Sequence, residues 1–220
     1  MKIVKLFVLL LLMAGCQNAT DNQVGATTQE GQPDYTLLQQ ELEQIYDLDQ
    51  GVRDVNWDSI SADPDRQKVY ISKMHQVDSA NQAKVLPILE KYGWLPKSKI
   101  GVKAAGTLFL VVQHSNTETI AKYLPLMEEM AKQGEASSTD AAMMRDRLLM
   151  FQGRKQLYGT QAVSYLREDG KHTMWPIEDV EIVNKRRQEA GFELTVEENA
   201  KRLGAIFDPN QEIPENHVTL

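Results

Sequence analysis

A mainly α-helical single domain carrying one small β-hairpin is the fold this sequence predicts, and three observations predict it. Apolar residues recur at helical spacing through most of the chain after residue 34. Segment 161–177 breaks that rhythm: two β-prone runs, 162–166 and 173–175, flank Asp169-Gly170, a dipeptide suited to a two-residue hairpin turn. No internal repeat is present, and residues 34–207 are of ordinary size for one domain.

The periodicity places helices at about 35–56, 66–92, 102–115, 118–133, 138–152, 179–190 and 195–205. Pro87 is expected to kink or split the second, because it lacks a backbone donor and crowds the turn before it. Helix 118–133 is plainly amphipathic, with Ile120, Tyr123, Leu124, Met127 and Met130 on one face and Lys122, Glu128 and Glu129 on the other. Segment 102–115 is apolar nearly all round through Leu108-Phe109-Leu110-Val111-Val112, which fits a central buried helix, with a strand as the alternative. Tyr165 and Trp175 are expected to meet across the hairpin. Residues 208–220, with Pro209 and Pro214, read as a loose tail.

The N-terminus has a different character. Lys2 and Lys5 precede an unbroken apolar and small-residue run from Leu6 to Gly15, the charge-then-apolar order of a secretory signal. The run is too short for a spanning helix, which needs roughly 20 apolar residues. Met13-Ala14-Gly15-Cys16 resembles a bacterial lipobox, with Met13 where Leu is usual. The resemblance implies cleavage before Cys16 and acylation, including palmitate, of that cysteine. Because Cys16 is the chain's single cysteine, an internal disulfide is excluded, and lipidation would consume an otherwise free thiol. Two or more acyl chains hold a protein stably at a membrane, whereas one does not. Residues 16–33 then read as the lipidated cysteine and a flexible polar linker. Gln17 is not the Asp of inner-membrane retention, so the expected place is the cell envelope, at the outer membrane where the cell has one.

Composition narrows the chemistry. A formal charge of −7 and the lack of a basic stripe argue against nucleic acid. The four histidines, His75, His114, His172 and His217, have no metal-ligand spacing, and no glycine-rich phosphate loop is present, so neither metal nor cofactor is expected.

The informative residues are polar ones on apolar helix faces. Asp49 falls in the middle of the stripe Leu38, Leu42, Ile45 and Val52, with Arg53 one turn on. Asn81 is central and Asp78 marginal on the stripe Tyr70, Met74, Val77, Val85 and Ile88. Asp146 lies between Met143 and Met150, beside Arg147, and Gln113-His114 closes the apolar run of 102–115. Buried polar groups are paired or line a cavity, so these side chains are expected to converge.

The same positions carry a resemblance. Asp49-Gln50-x-x-Arg53, Asp78-x-x-Asn81, Tyr92-Gly93-Trp94, Val112-Gln113-His114, Asp146-Arg147 and Gln156-Leu157-Tyr158-Gly159-Thr160-Gln161, followed by Pro176 to Asp179 and Arg186-Arg187, resemble the signature of an uncharacterised bacterial family, domain of unknown function 6624. Leu95 departs from it by standing between Trp94 and Pro96. The resemblance implies a shared fold and polar centre and no particular activity.

Two functions fit these residues. One is a binding module in which Asp49, Arg53, Asp78, Asn81, Gln113, Gln156, Tyr158 and Gln161 face a small polar or anionic ligand or an envelope protein. The other is an envelope hydrolase or transferase in which His114, Asp146 and Arg147 do acid–base work. Against both stands a structural reading of each piece: Asp49–Arg53 as an i,i+4 ion pair, Asn81 and Gln156 as core brackets, His114 as a helix-end residue. No recognisable nucleophile is present, which favours binding.

Overall fold

The computed structural model describes residues 32–56, 59–60, 62–166 and 169–213. Cys16, the signal segment, most of the linker and the end of the tail lie outside them. The domain is mainly α, with a two-stranded antiparallel hairpin. Its elements are α1 (Tyr35–Arg53), α2 (Pro64–Tyr92), the short α3 (Lys97–Ile100), α4 (Val102–Gln113), α5 (Thr117–Lys132), α6 (Ser138–Phe151), β1 (Ala162–Val163), β2 (Thr173–Met174), a 3₁₀ turn (Val180–Ile182), α7 (Val183–Ala190) and α8 (Val196–Arg202).

Helix starts follow local chemistry. Asp34, Asp63, Asn116 and Ser137 each accept a hydrogen bond from a backbone N–H of the first turn they cap. Pro64 opens α2 at a position where its missing donor costs nothing. Thr195 and Glu198 form a capping box on α8.

Segment 102–113 is a helix, not a strand, and it is the centre of the larger core. Thr107 Oγ1 donates to Leu42 O of α1 at 2.7 Å, and Gly106 lets the Tyr46 ring approach. Leu42, Val85, Leu108, Val112, Ile120 and Met144 are all fully buried there, so α1, α2, α4, α5 and α6 share one interior. Leu95, the residue that departs from the family pattern, is buried in the same core beside Trp94. Arg145 of α6 grips Glu128 of α5 through its Nε–Nη2 edge.

Three expectations need correction. α2 is continuous through Pro87, as α5 is through Pro125, because helix packing on either side outweighs one lost backbone bond. The 179–190 helix begins as a 3₁₀ turn and becomes α only at Val183. The hairpin strands are two residues each, in register Ala162↔Met174 and Val163↔Thr173, so Asp169-Gly170 sits in a longer connection and not in a two-residue turn. Tyr165 and Trp175 do meet, edge to face at 6.5 Å, although Tyr165 is exposed and Trp175 fully buried.

The hairpin belongs to a second, smaller core of Met174, Val183, Val196 and Ala200. Gly159 sits at its border with a left-handed φ of +64°, and a Cβ there would lie 2.9 Å from Ile177 and overlap Val196. Gly159→Ala is therefore expected to destabilise the fold by at least about 2 kcal/mol, read by urea denaturation, from backbone strain and overpacking together. Unchanged stability would show that this loop carries no such constraint.

Candidate functional site

Adjacent residues of α6, one helical step apart, serve two different assemblies. Asp146 is fully buried, and every hydrogen bond it makes goes to the segment after α6. Its Oδ1 accepts from Leu157 N at 2.7 Å and Tyr158 N at 3.1 Å, and its Oδ2 accepts from Thr160 N at 3.1 Å and Thr160 Oγ1 at 2.9 Å. Gln156, also fully buried, closes the same loop from inside. Its Oε1 accepts from Thr160 N and Gln161 N, both at 2.8 Å, and its Nε2 donates to Gln161 O and Trp175 O. The loop's carbonyls are taken by cations and an amide: Arg186 donates to Leu157 O, Arg187 to Tyr158 O and Asn199 to Gly159 O. Gln161 Nε2 turns inward to Thr160 Oγ1 at 3.0 Å. Asp146, Gln156 and the Tyr158 backbone thus form a bracket that shapes the chain, and Asp146 does not join His114.

Arg147 makes none of these bonds and lies within electrostatic reach of Arg53 of α1 and Asp78 of α2. Arg53 Nη1 donates to Asp49 Oδ1 at 3.0 Å, and Arg53 Nη2 donates to Asp78 Oδ1 at 2.6 Å. His114 Nδ1 lies 3.3 Å from the same Asp49 Oδ1, and Gln50 Nε2 donates to Asp49 Oδ2 at 2.8 Å. Gln82 of α2 donates to His114 O, fixing the end of α4 over this group. Asp49 is buried, while Arg53, Asp78 and His114 keep partial access to solvent. Burial would push the Asp49 carboxyl up, but the hydrogen bond and charge of His114, then Arg53 and Gln50, hold it below its ordinary value.

Arg147 is the unusual member. Its Nε is buried with no hydrogen-bond partner among the described residues, and its guanidinium lies 5.9 Å from the Phe151 ring centroid. Burial, aided by the charge of Arg53 and opposed by that of Asp78, lowers its pKa to about 10. Two neighbours in sequence to the cluster are also unsatisfied: Asn81 Nδ2 and Gln113 Oε1, on side chains that are nearly fully buried. Ligand atoms of Asp49, Asp78 and His114 lie within 4.8 Å of one another, the arrangement of a three-ligand cation site. Arg53 already bonds to both carboxylates, so its charge occupies the position a cation would take.

The structure thus gathers Asp49, Arg53, Asp78 and His114 into one cluster, with Arg147 within electrostatic reach of Arg53 and Asp78. Asn81 follows Asp78 by one turn of α2, Gln113 adjoins His114, and Asp146, Gln156, Tyr158 and Gln161 belong to the loop bracket. Sequence reading missed Gln50 and Gln82 as partners, and Asn199 and Thr160 as loop ligands. Val183 and Arg187, four apart on the buried face of α7, were a readable signal for a buried cation there.

The chain belongs to a family of unknown function, DUF6624, whose model matches residues 34–207. No curated protein matches it, and no solved structure does.

The bracket generates a pH prediction. Burial outweighs the donors and pushes the Asp146 pKa up to about 6 from 3.8. A carboxyl that binds its proton more tightly when folded contributes stability that is full below about pH 4 and is lost as pH rises through about 6. The shift corresponds to about 3 kcal/mol. Denaturation curves across pH 4–6 are expected to show this fall in the wild type. Asp146→Asn should lose this component of the fall, and be less stable at every pH because its amide turns two hydrogens toward donors of the loop. An equal slope in the variant would assign the pH dependence to another group.

Proposed function

We propose that this protein is a membrane-tethered cell-envelope binding module whose charge cluster takes a small anionic ligand at Arg147. The observation that carries the reading is the Arg147 Nε, buried and without a hydrogen-bond partner among the described residues. A buried guanidinium N–H lacking an acceptor is costly, and an anion would complete it. Arg53 cannot serve in the same way, since Asp49 and Asp78 already use its edges. Asn81 Nδ2 and Gln113 Oε1, one turn from Asp78 and next to His114 in sequence, are a further donor and acceptor without a partner among the described residues.

The tether reading rests on the n-region, the apolar run and Met13-Ala14-Gly15-Cys16. None of the helices among the described residues is long and apolar enough to cross a membrane, and a lipid on Cys16 would supply the attachment in another way. A spacer of polar residues would let the domain work away from the bilayer surface.

A second reading, acid–base catalysis, has one observation in its favour. Asp49 bonds His114 through Nδ1, which fixes the ring and leaves Nε2 as the atom able to exchange a proton. In that case His114→Gln would abolish turnover of an anionic ester while phosphate binding persisted.

Calorimetric titration with inorganic phosphate tests the binding reading. Wild type should bind saturably, and Arg147→Met should lose at least about tenfold in affinity while its Tm holds or rises, because an uncompensated buried charge has been removed. A lowered Tm with unchanged phosphate affinity would assign Arg147 to architecture. For the tether, Cys16→Ser should move the protein from the membrane fraction to the soluble one and end labelling by palmitate. Retention of both would show that attachment has another origin.

A further inference from the structure

We propose that the cavity between α6 and the α7–α8 junction is a second ligand site, separate from the charge cluster, and that it takes a small monocarboxylate with an apolar or aromatic body. The cavity measures about 370 Å³, room for a ligand of amino-acid to dipeptide size within the range of ordinary small-molecule sites.

Arg187 on its wall is 2% exposed. Nε donates to Leu194 O at 2.8 Å and Nη1 to Tyr158 O at 2.7 Å, and the guanidinium stacks 4.4 Å from the Phe192 ring centroid. Nη2 makes no hydrogen bond among the described residues. No carboxylate of the described residues pairs with Arg187 either; Asp146 and Glu197 act on it only at longer range. A guanidinium held this rigidly, buried and without a counter-ion, keeps Nη2 as a free charged donor for an anion.

Arg202 lines the same cavity from α8. Its Nε and Nη2 both donate to Asn199 Oδ1, at 3.2 and 2.9 Å, which leaves Nη1 uncommitted. Two residues lining the same cavity therefore each keep one uncommitted guanidinium nitrogen, Arg187 Nη2 and Arg202 Nη1. Both are anchored by backbone or amide oxygens, so little ordering entropy is lost when an anion arrives.

The rest of the wall sets the class. Phe192, Met143 and Leu194 supply an apolar surface beside the cations, suited to a hydrocarbon or ring attached to the anionic group. Exposed Glu193 also lines the cavity, and its charge disfavours a dianion such as phosphate more than a single carboxylate. The site shares only α6 with the charge cluster, through Thr139 and Met143 rather than Arg147.

Titration of the full chain with phenylacetate, followed by calorimetry and thermal shift, tests this. Phenylacetate should bind saturably with a Kd at or below about 1 mM, and the isosteric neutral phenylacetamide should not bind. Arg202→Gln, a change on an exposed side chain that leaves the core intact, should weaken phenylacetate at least about tenfold, whereas Arg147→Met should not affect it. The last arm separates this site from the phosphate-binding cluster, so either proposal can fail alone. Equal binding of the amide overturns the assignment, as does competition by inorganic phosphate at equal potency. Wild-type affinity in Arg202→Gln, or no saturable binding of phenylacetate, hexanoate or phenylalanine up to about 10 mM, overturns it as well.

Discussion

A carboxylate at zero exposure must take its proton or be surrounded by donors, and Asp146 is met by four donor groups of one loop. That satisfaction gives the chain after α6 its course. Because the loop's N–H groups turn toward Asp146 and Gln156, its carbonyls turn outward to Arg186, Arg187 and Asn199. Through those three residues α7 and α8 are held against α6, and with them the small core under the hairpin. Gly159 is required at the tightest point because its carbonyl is shared between Arg187 and Asn199 while Val196 and Ile177 crowd its α-carbon. The hairpin itself contributes little; its two short strands are positioned by Gln156 and by the buried Trp175, whose Nε1 donates to Arg154 O.

The opposite end of the helical core follows a different electrostatic rule. Asp49 is buried, yet it remains an acceptor for Arg53, His114 and Gln50 at once, and the cluster offers both signs of charge to partly accessible space. Buried ion pairs of this kind contribute little net stability, because desolvation offsets most of the attraction. They stand near Asn81 Nδ2 and Gln113 Oε1 in sequence, two buried amide atoms with no partner among the described residues. The bracket around Asp146 has the reverse character: nearly every donor and acceptor in it is consumed.

Amphipathic α5 was fully legible in the sequence, since Ile120, Tyr123, Leu124 and Met127 are buried as their spacing demands. The burial of Asp49, Asn81, Gln113 and Asp146 was equally readable from helical stripes. Which of them would meet was not. A stripe gives a direction around one helix axis and says nothing of the neighbour lying in that direction. Asp49, Asp78 and His114 converge because the C-terminal ends of α1 and α4 meet the middle of α2, whereas Asp146 faces a loop whose course depends on Asp146 itself. The continuity of α2 through Pro87 and the shortness of the hairpin strands were hidden for the same reason: tertiary packing overrode a local preference.

The adjacency of Asp146 and Arg147 has a consequence for how this chain can change. Neighbouring positions on α6 differ by about 100° in azimuth, and each azimuth here answers to a separate set of partners. Inserting or deleting one residue upstream in the helix would rotate the acid out of its loop and the base out of its cluster in a single step. A substitution at either position disturbs one set of partners, whereas a change of length disturbs both. The phase of α6 is therefore the variable that a lineage of such proteins would have to keep fixed while its surface drifted.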